Sequence, residues 1–232
     1  TGKYGMDLNN TNLEILLREL TKIRGLYRLR LASIEINEIT EGIMNLIKES
    51  NIISSHFHIP LQSGSDKILK LMNRKYDLKY FKEKINKIKS LREDISITTD
   101  LIVGFPNETE ENFNETINTL KELEFTKIHT FPYSPRTGTP ASTMTNQVDG
   151  NIKKKRVKQI LELSNNLEYN YYKKYIGKTL EGVTELKKDG TIIVHTSNFI
   201  PVKIKEHISN NEIVKIKIID INNLEVIGEL LA

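Results

Sequence analysis

The chain has 232 residues, 38% of them apolar, enough for one large and one small packed unit. It contains no cysteine, which excludes disulfides, thiolate-bound metal and a cysteine nucleophile within these residues. No apolar run approaches the ~20 residues that span a bilayer and no secretory leader is visible, so a cytoplasmic protein with no membrane partner is expected. The net charge of +4 is unevenly placed: residues 1–150 carry 20 basic and 20 acidic side chains, and residues 151–232 carry 14 and 10. A basic tail on a neutral body fits an anionic partner, and fits a solvated lysine-rich surface equally well.

Apolar residues at positions 13, 16, 17 and 20 predict a helix over 13–22. Residues 28–33 (RLRLAS) alternate and predict a strand. Thr40 is placed to cap a helix through Lys48, with Glu41 in its first turn. Residues 56–61 read as a strand stopped at Pro60, 66–72 and 78–91 as helices, and 95–103 as the strongest strand. Thr109 is the cap of a further helix whose first turn holds Glu110 and Glu111, and 125–133 is the next strand. Strands alternating with amphipathic helices predict an α/β unit with a parallel sheet and right-handed crossovers. Only four such strands fit before Pro140, fewer than a closed barrel requires, and the chain opens on Thr1 rather than Met. The expectation is a barrel begun upstream of Thr1.

Residues 135–150 form a loop of Pro, Gly, Thr and Ser, long enough to suggest a function. A basic helix is predicted over 151–175, with Lys153, Lys154, Lys155, Arg156 and Lys158 at its start. Cations there oppose the helix dipole, so something other than helix stability is expected to favour them. Beyond Gly177 the pattern is all-β, with strands at 179–186, 191–196, 201–204, 212–219 and 224–230 and a turn at Lys188-Asp189-Gly190. Short strands with Gly and Asn turns predict a small antiparallel barrel of OB-like type.

Three stretches carry candidate site residues. In 56–76, Gln62-Ser63-Gly64-Ser65 follows a strand: the glycine permits close backbone approach, and Gln62 and Ser63 offer donors and acceptors to a sugar or carboxylate. Arg74 in that stretch reads as a solvated side chain ahead of a phosphate contact. In 97–113, Asp100 interrupts an apolar strand and is expected to face a polar cavity or a partner. Gly104 leaves room for an adenine or ribose. Glu108 is either the carboxylate of a ligand-binding pattern or a plain acid at a helix N-terminus. In 127–144, His129, Tyr133, Ser134 and Arg136 close a strand and open the long loop. His129 reads more readily as structural than functional, whereas Arg136, beside Gly138 and Thr139, suits a ligand carboxylate or RNA phosphate. Phe199 is either a base-stacking platform, with Lys203 and Lys205 near phosphate, or a core aromatic.

Read together, HFHIPLQSGSDKILKLMNRKY, ITTDLIVGFPNETEENF and KIHTFPYSPRTGTPASTM resemble the radical S-adenosylmethionine (radical-SAM) methylthiotransferases, which add a methylthio group to tRNA adenosines. Ile102 and Gly104 fit the I-x-G-x-x-E pattern of radical-SAM enzymes, but residue 107 is Asn and the acid falls at Glu108, as in the GFP-x-E-T version of this subgroup. KIHTFPYSPRTGTPA, with Ser33 and Glu35 in RLRLASIEINEIT, is similar to the subgroup acting on threonylcarbamoyladenosine. HTSNFIPV at 195–202 is similar to the H-T-x-N-Y-I-x-V wording of a TRAM domain, a small RNA-binding barrel.

The resemblance covers essentially the whole chain and carries several expectations. It implies a partial radical-SAM (β/α) barrel over 1–145, a basic linker helix over 146–175 and a TRAM-like barrel over 176–232. It implies S-adenosylmethionine contacts at Ser33, Glu35, Gln62, Ser63, Asp100, Gly104 and Tyr133, and RNA contacts at Arg136, Lys154, Lys155, Arg156, Phe199 and Lys203. TGKYGMDL resembles the end of the second barrel strand, shortly after the CxxxCxxC motif that binds a 4Fe-4S cluster. The cluster ligands, and an upstream domain holding a second cluster, are therefore expected outside this chain, which alone would be inactive. The implied reaction is methylthiolation of an adenosine C2 beside the anticodon, with tRNA as partner and flavodoxin or ferredoxin as reductant. Isopentenyladenosine or a ribosomal-protein aspartate are alternative substrates, and an RNA-binding module without activity is a third reading. No catalytic residue and no metal ligand is assigned within the chain.

Overall fold

Alternation along one central strand organises the larger unit. In the computed structural model, which describes residues 4, 5 and 7–231, three strands pair in parallel. They are β1 (His56–His58), β2 (Ser96–Val103) and β3 (Lys127–Pro132), in the order β1-β2-β3. Five helices precede or connect them: α1 (Leu13–Leu20), α2 (Glu41–Glu49), α3 (Asp66–Leu71), α4 (Leu78–Lys89) and α5 (Glu110–Leu123). Phe57, Ile97, Leu101, Val103 and Ile128 share a core with Phe81, Ile85 and Ile88 of α4 and Phe113, Leu120 and Leu123 of α5. Because successive side chains on a strand point to opposite faces, the intervening residues of the same strands lie on the other side of the sheet.

Four of these five helices start where a side chain satisfies one of the first amides; α3, preceded by Ser65, has no such cap. Asn12, Thr40 and Asp77 accept from the N–H groups of Ile15, Ile43 and Tyr80. Thr109 and Asn112 form a reciprocal capping box at α5. Such caps contribute about 1 kcal/mol each, which explains why the helix starts were legible in the sequence. The strand expected over 28–33 is a correction. It is reduced to a single bridge between Leu29 and Ile53. The segment touches the sheet again where the Ile34 N–H donates to the His58 carbonyl. It lies at the edge, with a partner on one side. Of the TGKYGMDL segment, residues 1–3 and Met6 lie outside the described residues, and the described positions form turns and a bend.

Gly64 is also reassigned. Its N–H donates to Thr116 Oγ1 and its carbonyl accepts from Thr119 Oγ1. A Cβ there would stand 2.6 Å from the Thr116 Cα. The close approach that demands glycine is to α5, not to a ligand.

The long loop contains one helical turn, α6 (Pro140–Thr143), and leads into the 24-residue α7 (Gly150–Lys173). The basic start of α7 serves two ends. Lys154, Lys155 and Lys158 are exposed, whereas Arg156 is buried. The Arg156 guanidinium bonds Glu108 Oε1 at 2.5 Å and Glu110 Oε2 at 3.2 Å and lies 5.1 Å from the Phe113 ring centroid. The RNA-contact expectation for Arg156 is therefore corrected: it ties α7 to the start of α5. Glu108 also accepts from the Gly104 N–H at 2.8 Å. Burial pushes its carboxyl up, while that N–H and Arg156 pull it down.

After α7, five strands close a small barrel in the order β4-β5-β6-β8-β7: β4 (Thr179–Leu186), β5 (Ile192–Thr196), β6 (Pro201–Ile204), β7 (Ile213–Asn222) and β8 (Glu225–Leu230). It is not wholly antiparallel, because the β6–β8 pair that closes it is parallel. Val194, Ile200, Val202, Ile216, Ile218 and Val226 fill its core. The β5–β6 turn lodges at the N-terminal end of the parallel strands. Ser96 Oγ donates to the Asn198 carbonyl at 2.7 Å, and the Ser55 N–H donates to Ser197 Oγ. Asn198 Nδ2 donates to the Tyr171 hydroxyl, which donates to the Asp94 carbonyl.

Breaking a buried ion pair from one side strands the other charge. Arg156→Met is expected to destabilise the fold by about 3–5 kcal/mol, with Glu108→Gln added on top recovering part of the loss. Urea denaturation of the two variants measures this; a loss below 1 kcal/mol for the single variant would show the pair to be dispensable.

Candidate active site

The sheet face turned away from α4 and α5 is polar. Register places His58 beside Thr98 and Asp100 beside His129. With Arg30 from the edge segment, Glu168 from α7 and Phe199 from the barrel, these strands enclose a cavity of about 270 Å³. Its lower end is shut by Phe199, whose ring lies 3.4 Å beneath the Arg30 guanidinium, 4.9 Å from the His56 ring and 5.4 Å from the His195 ring. These contacts make Phe199 a docking residue between barrel and sheet. The residue keeps 37% of its surface exposed.

Hydrogen bonds link the polar side chains in a row. Arg30 Nε donates to His56 Nδ1 at 3.3 Å, and His56 Nε2 lies 3.2 Å from Thr98 Oγ1. Thr98 Oγ1 lies 2.9 Å from His58 Nδ1, and His58 Nε2 lies 3.2 Å from Asp100 Oδ2. The His129 ring stands 5.6 Å from that of His58, and Lys127 pairs with Glu168 at 3.0 Å. Burial, reinforced by the Arg30 charge, pushes the His56 imidazole down to about 3, so it is neutral at ordinary pH. Burial also lowers His129.

The C-terminal ends of the strands form the rim, where α/β sheets bind ligands. There the Gln62 N–H donates to the Asp100 carbonyl, and the Gln62 carbonyl accepts from the Ile102 N–H. Gln62 has φ 68°, a left-handed conformation that costs a side chain about 1 kcal/mol or more. The turn is held from below: Thr99 Oγ1 bonds the Ile59 carbonyl and the Leu61 N–H, and the Tyr76 hydroxyl donates to the Pro60 and Leu61 carbonyls. Tyr133 packs edge-on to Phe105, and its buried hydroxyl has no hydrogen-bond partner. Lys153 reaches over Gly104 to donate to the Tyr133 carbonyl at 3.1 Å. A Cβ on Gly104 would lie 2.4 Å from Lys153 Cγ.

The structure thus gathers Gln62, Asp100, Gly104 and Tyr133 at one rim, but changes the reading of several residues. Ser63 is buried, with its hydroxyl accepting from the Ser65 N–H. The space at Gly104 is filled by Lys153. Glu35 pairs with Arg74 at 3.0 Å, so Arg74 is not simply solvated, and Ser33 is half-buried. Ser134 and Arg136 are exposed in the loop, and Lys203 pairs with Glu225 on the barrel surface. Sequence reasoning missed Arg30, His56, His58, Thr98, Lys127 and Glu168. The signal was the His-Phe-His alternation in step with Thr98 and Asp100. Among the described residues no group of three or more His, Asp or Glu is arranged to hold a metal ion, and the chain offers no thiolate.

A histidine held neutral in the fold penalises folding in acid. The stability associated with neutral His56 is complete above pH 6.5 and is lost as pH falls toward about 3, with His129 acting in the same direction. The urea midpoint is expected to decline across that window, and less steeply in His56→Asn. Identical slopes would remove His56 as the responsible group.

Known proteins are similar to this chain in sequence or in fold. A 41% identity over 226 residues links the chain to the threonylcarbamoyladenosine tRNA methylthiotransferase MtaB of Bacillus subtilis, covering 94% of this chain and 50% of that protein. A 37% identity over 224 residues links it to the tRNA-2-methylthio-N(6)-dimethylallyladenosine synthase of Thermodesulfovibrio yellowstonii, covering 96% and 52%. The chain spans about half the length of the curated relatives it matches. Among solved structures, the radical SAM enzyme coproporphyrinogen III oxidase (HemN) of Escherichia coli superposes with a TM-score of 0.53 over 67% of this chain and 36% of its own, at 19% identity, a likeness of fold. The family model for the Radical SAM superfamily matches residues 4–120, the part that builds the parallel strands β1 and β2 and their helices. A parallel sheet connected by helices, matched by that model across half the sequence, belongs to the radical SAM superfamily, and so does this chain.

Proposed function

We propose that this chain is the S-adenosylmethionine-binding and tRNA-holding part of a methylthiotransferase acting on threonylcarbamoyladenosine beside the anticodon. The observation that carries the reading is the 41% identity, across 94% of the chain, to a relative named for that activity. Dimethylallyladenosine is the second substrate reading, supported by the 37% identity to a synthase named for it.

The residues present do not fit an iron–sulfur cluster, for want of any cysteine. Cluster ligands and the reductant's docking surface belong, in this reading, to another part of the protein. The rim does suit S-adenosylmethionine, which when bound supplies the methyl group and the radical chemistry. Asp100 offers a carboxylate with 30% of its side chain exposed. Gln62 presents an amide on a rigid turn, and the orphaned Tyr133 hydroxyl offers a further polar contact. Ser33 and Glu35, on either side of the Ile34 N–H that bonds the His58 carbonyl, are assigned to the same pocket in this reading. For tRNA phosphate, this reading uses the exposed cations Lys154, Lys155 and Lys158 of α7, Arg136 of the loop, and Lys215 and Lys217 of the barrel. The five-stranded barrel serves as a TRAM-like RNA-holding unit. Among the described residues no helix is long and apolar enough to cross a membrane.

Nucleoside mass analysis of tRNA from cells with and without the gene tests the assignment. Loss of the methylthio group from threonylcarbamoyladenosine is expected; loss confined to isopentenyladenosine would move the substrate to the second reading, and no change would overturn both. In the full-length protein, Asp100→Ala is expected to weaken S-adenosylmethionine binding roughly tenfold or more, as loss of a hydrogen bond to a charged group does. Unchanged binding would remove Asp100 from the pocket.

A further inference from the structure

The row of polar side chains on the cavity face has a direction. Arg30 is a donor only and keeps its proton, so His56 Nδ1 at 3.3 Å must accept. A neutral His56 then carries its proton on Nε2 and donates to Thr98 Oγ1 at 3.2 Å. A hydroxyl has one proton to give, and Thr98 has His58 Nδ1 at 2.9 Å to receive it. With Nδ1 accepting, the His58 proton sits on Nε2, 3.2 Å from Asp100 Oδ2, which is the tautomer this row requires. Every donor in the row meets an acceptor, and the polarity runs one way, from Arg30 at the base to Asp100 at the rim. The base is clamped, because Phe199 lies 3.4 Å beneath the Arg30 guanidinium. Arg30 cannot release a proton, so the row ends there and cannot conduct protons across the sheet. Its effect is orientation: successive links polarise one another in a site of low dielectric.

We propose that Arg30, His56, Thr98 and His58 form a positioning relay that fixes the His58 Nε2–H tautomer, and so holds the Asp100 carboxylate turned to accept a donor group, amine or hydroxyl, of S-adenosylmethionine at the rim. This rests on the reading of the rim as the S-adenosylmethionine pocket, and adds to it residues that never touch the ligand. Besides the relay, the ionisable groups facing this row are Lys127 and His129 of β3 and Glu168 and Tyr172 of α7, the Tyr172 hydroxyl donating to Glu168. Lys127 and Glu168 are paired with each other, and His129 is lowered by burial, so none replaces a link.

Thr98 is the link to break, because valine keeps its shape and removes only the hydroxyl, while serine keeps the hydroxyl. Two readouts are taken on the full-length protein and its Thr98→Val and Thr98→Ser variants: nitrogen NMR of labelled histidines without ligand, and the dissociation constant for S-adenosylmethionine. The expected result is a His58 Nδ1 signal of an unprotonated acceptor in the wild type and in Thr98→Ser, lost or averaged between tautomers in Thr98→Val. Binding should weaken about tenfold in Thr98→Val and stay within about twofold of wild type in Thr98→Ser. A protonated His58 Nδ1 in the wild type, or equal affinities in all three proteins, would overturn the relay. Failure of the wild type itself to bind S-adenosylmethionine would instead count against the pocket reading, with the histidine signals still deciding whether the relay exists.

Discussion

Strand β2 is covered on both faces, but by different chemistry, and the remainder of the larger unit follows from this. Ile97, Leu101 and Val103 go into the helix-backed core, while Ser96, Thr98 and Asp100 face the other way. A one-residue slip in register would bury a carboxylate among Phe81 and Phe113 and expose the apolar set. The penalty for that slip pins the pairing of β1 and β3 to β2. Pinned pairing in turn sets His58 beside Thr98 and His129 beside Asp100. The polar face is thus a by-product of core formation, available for ligand chemistry without further ordering cost.

Contacts between distant segments are made by side chains that look, in isolation, like surface or nucleic-acid-binding residues. Arg156 crosses from α7 to α5 and is satisfied by Glu108 and Glu110. Phe199, with φ 63°, inserts from the barrel turn beneath Arg30. Arg28 Nη1 donates to the His195 carbonyl, and the Tyr27 hydroxyl donates to Glu181. A cation and an aromatic that meet across a partly buried boundary contribute more than either does in water. The geometry at the base of the sheet therefore depends on the barrel being docked. The foot of the hydrogen-bonded row and the β5–β6 turn are one assembly.

Charge that looked available for RNA is divided by this packing. The basic tail supplies exposed Lys154, Lys155 and Lys158 on one side of α7, and inward-directed Lys153 and Arg156 on the other. Positions three apart on a helix share a face, and 153 and 156 are three apart. That face meets β2, β3 and α5, so its cations work on carbonyls and carboxylates of the same molecule. The dipole cost of placing cations at a helix start is offset by Glu108 and Glu110.

Helix starts, the strongest strand, the α7 helix and the small barrel's strands were readable from the sequence, because each rests on local causes: a capping side chain, alternation, or a turn residue. Gln62, Asp100 and Tyr133 were likewise legible as candidates for a polar face, since a polar group that interrupts or follows an apolar strand has few other places to go. What the sequence could not decide are relations between segments far apart in the chain. Gly64 serves Thr116, Gly104 is covered by Lys153, and Phe199 stacks on Arg30, and none of these pairings leaves a local pattern. The reduction of 28–33 to a single bridge has the same origin, because pairing depends on a neighbour and not on alternation alone. Short-range energetics, in which cap, turn and alternation act within a few residues, was determined by the sequence itself. Which histidine nitrogen meets which hydroxyl, and which arginine is buried, was settled by tertiary packing, since hydrogen bonds and ion pairs in a closed interior depend on distances that only the folded chain sets.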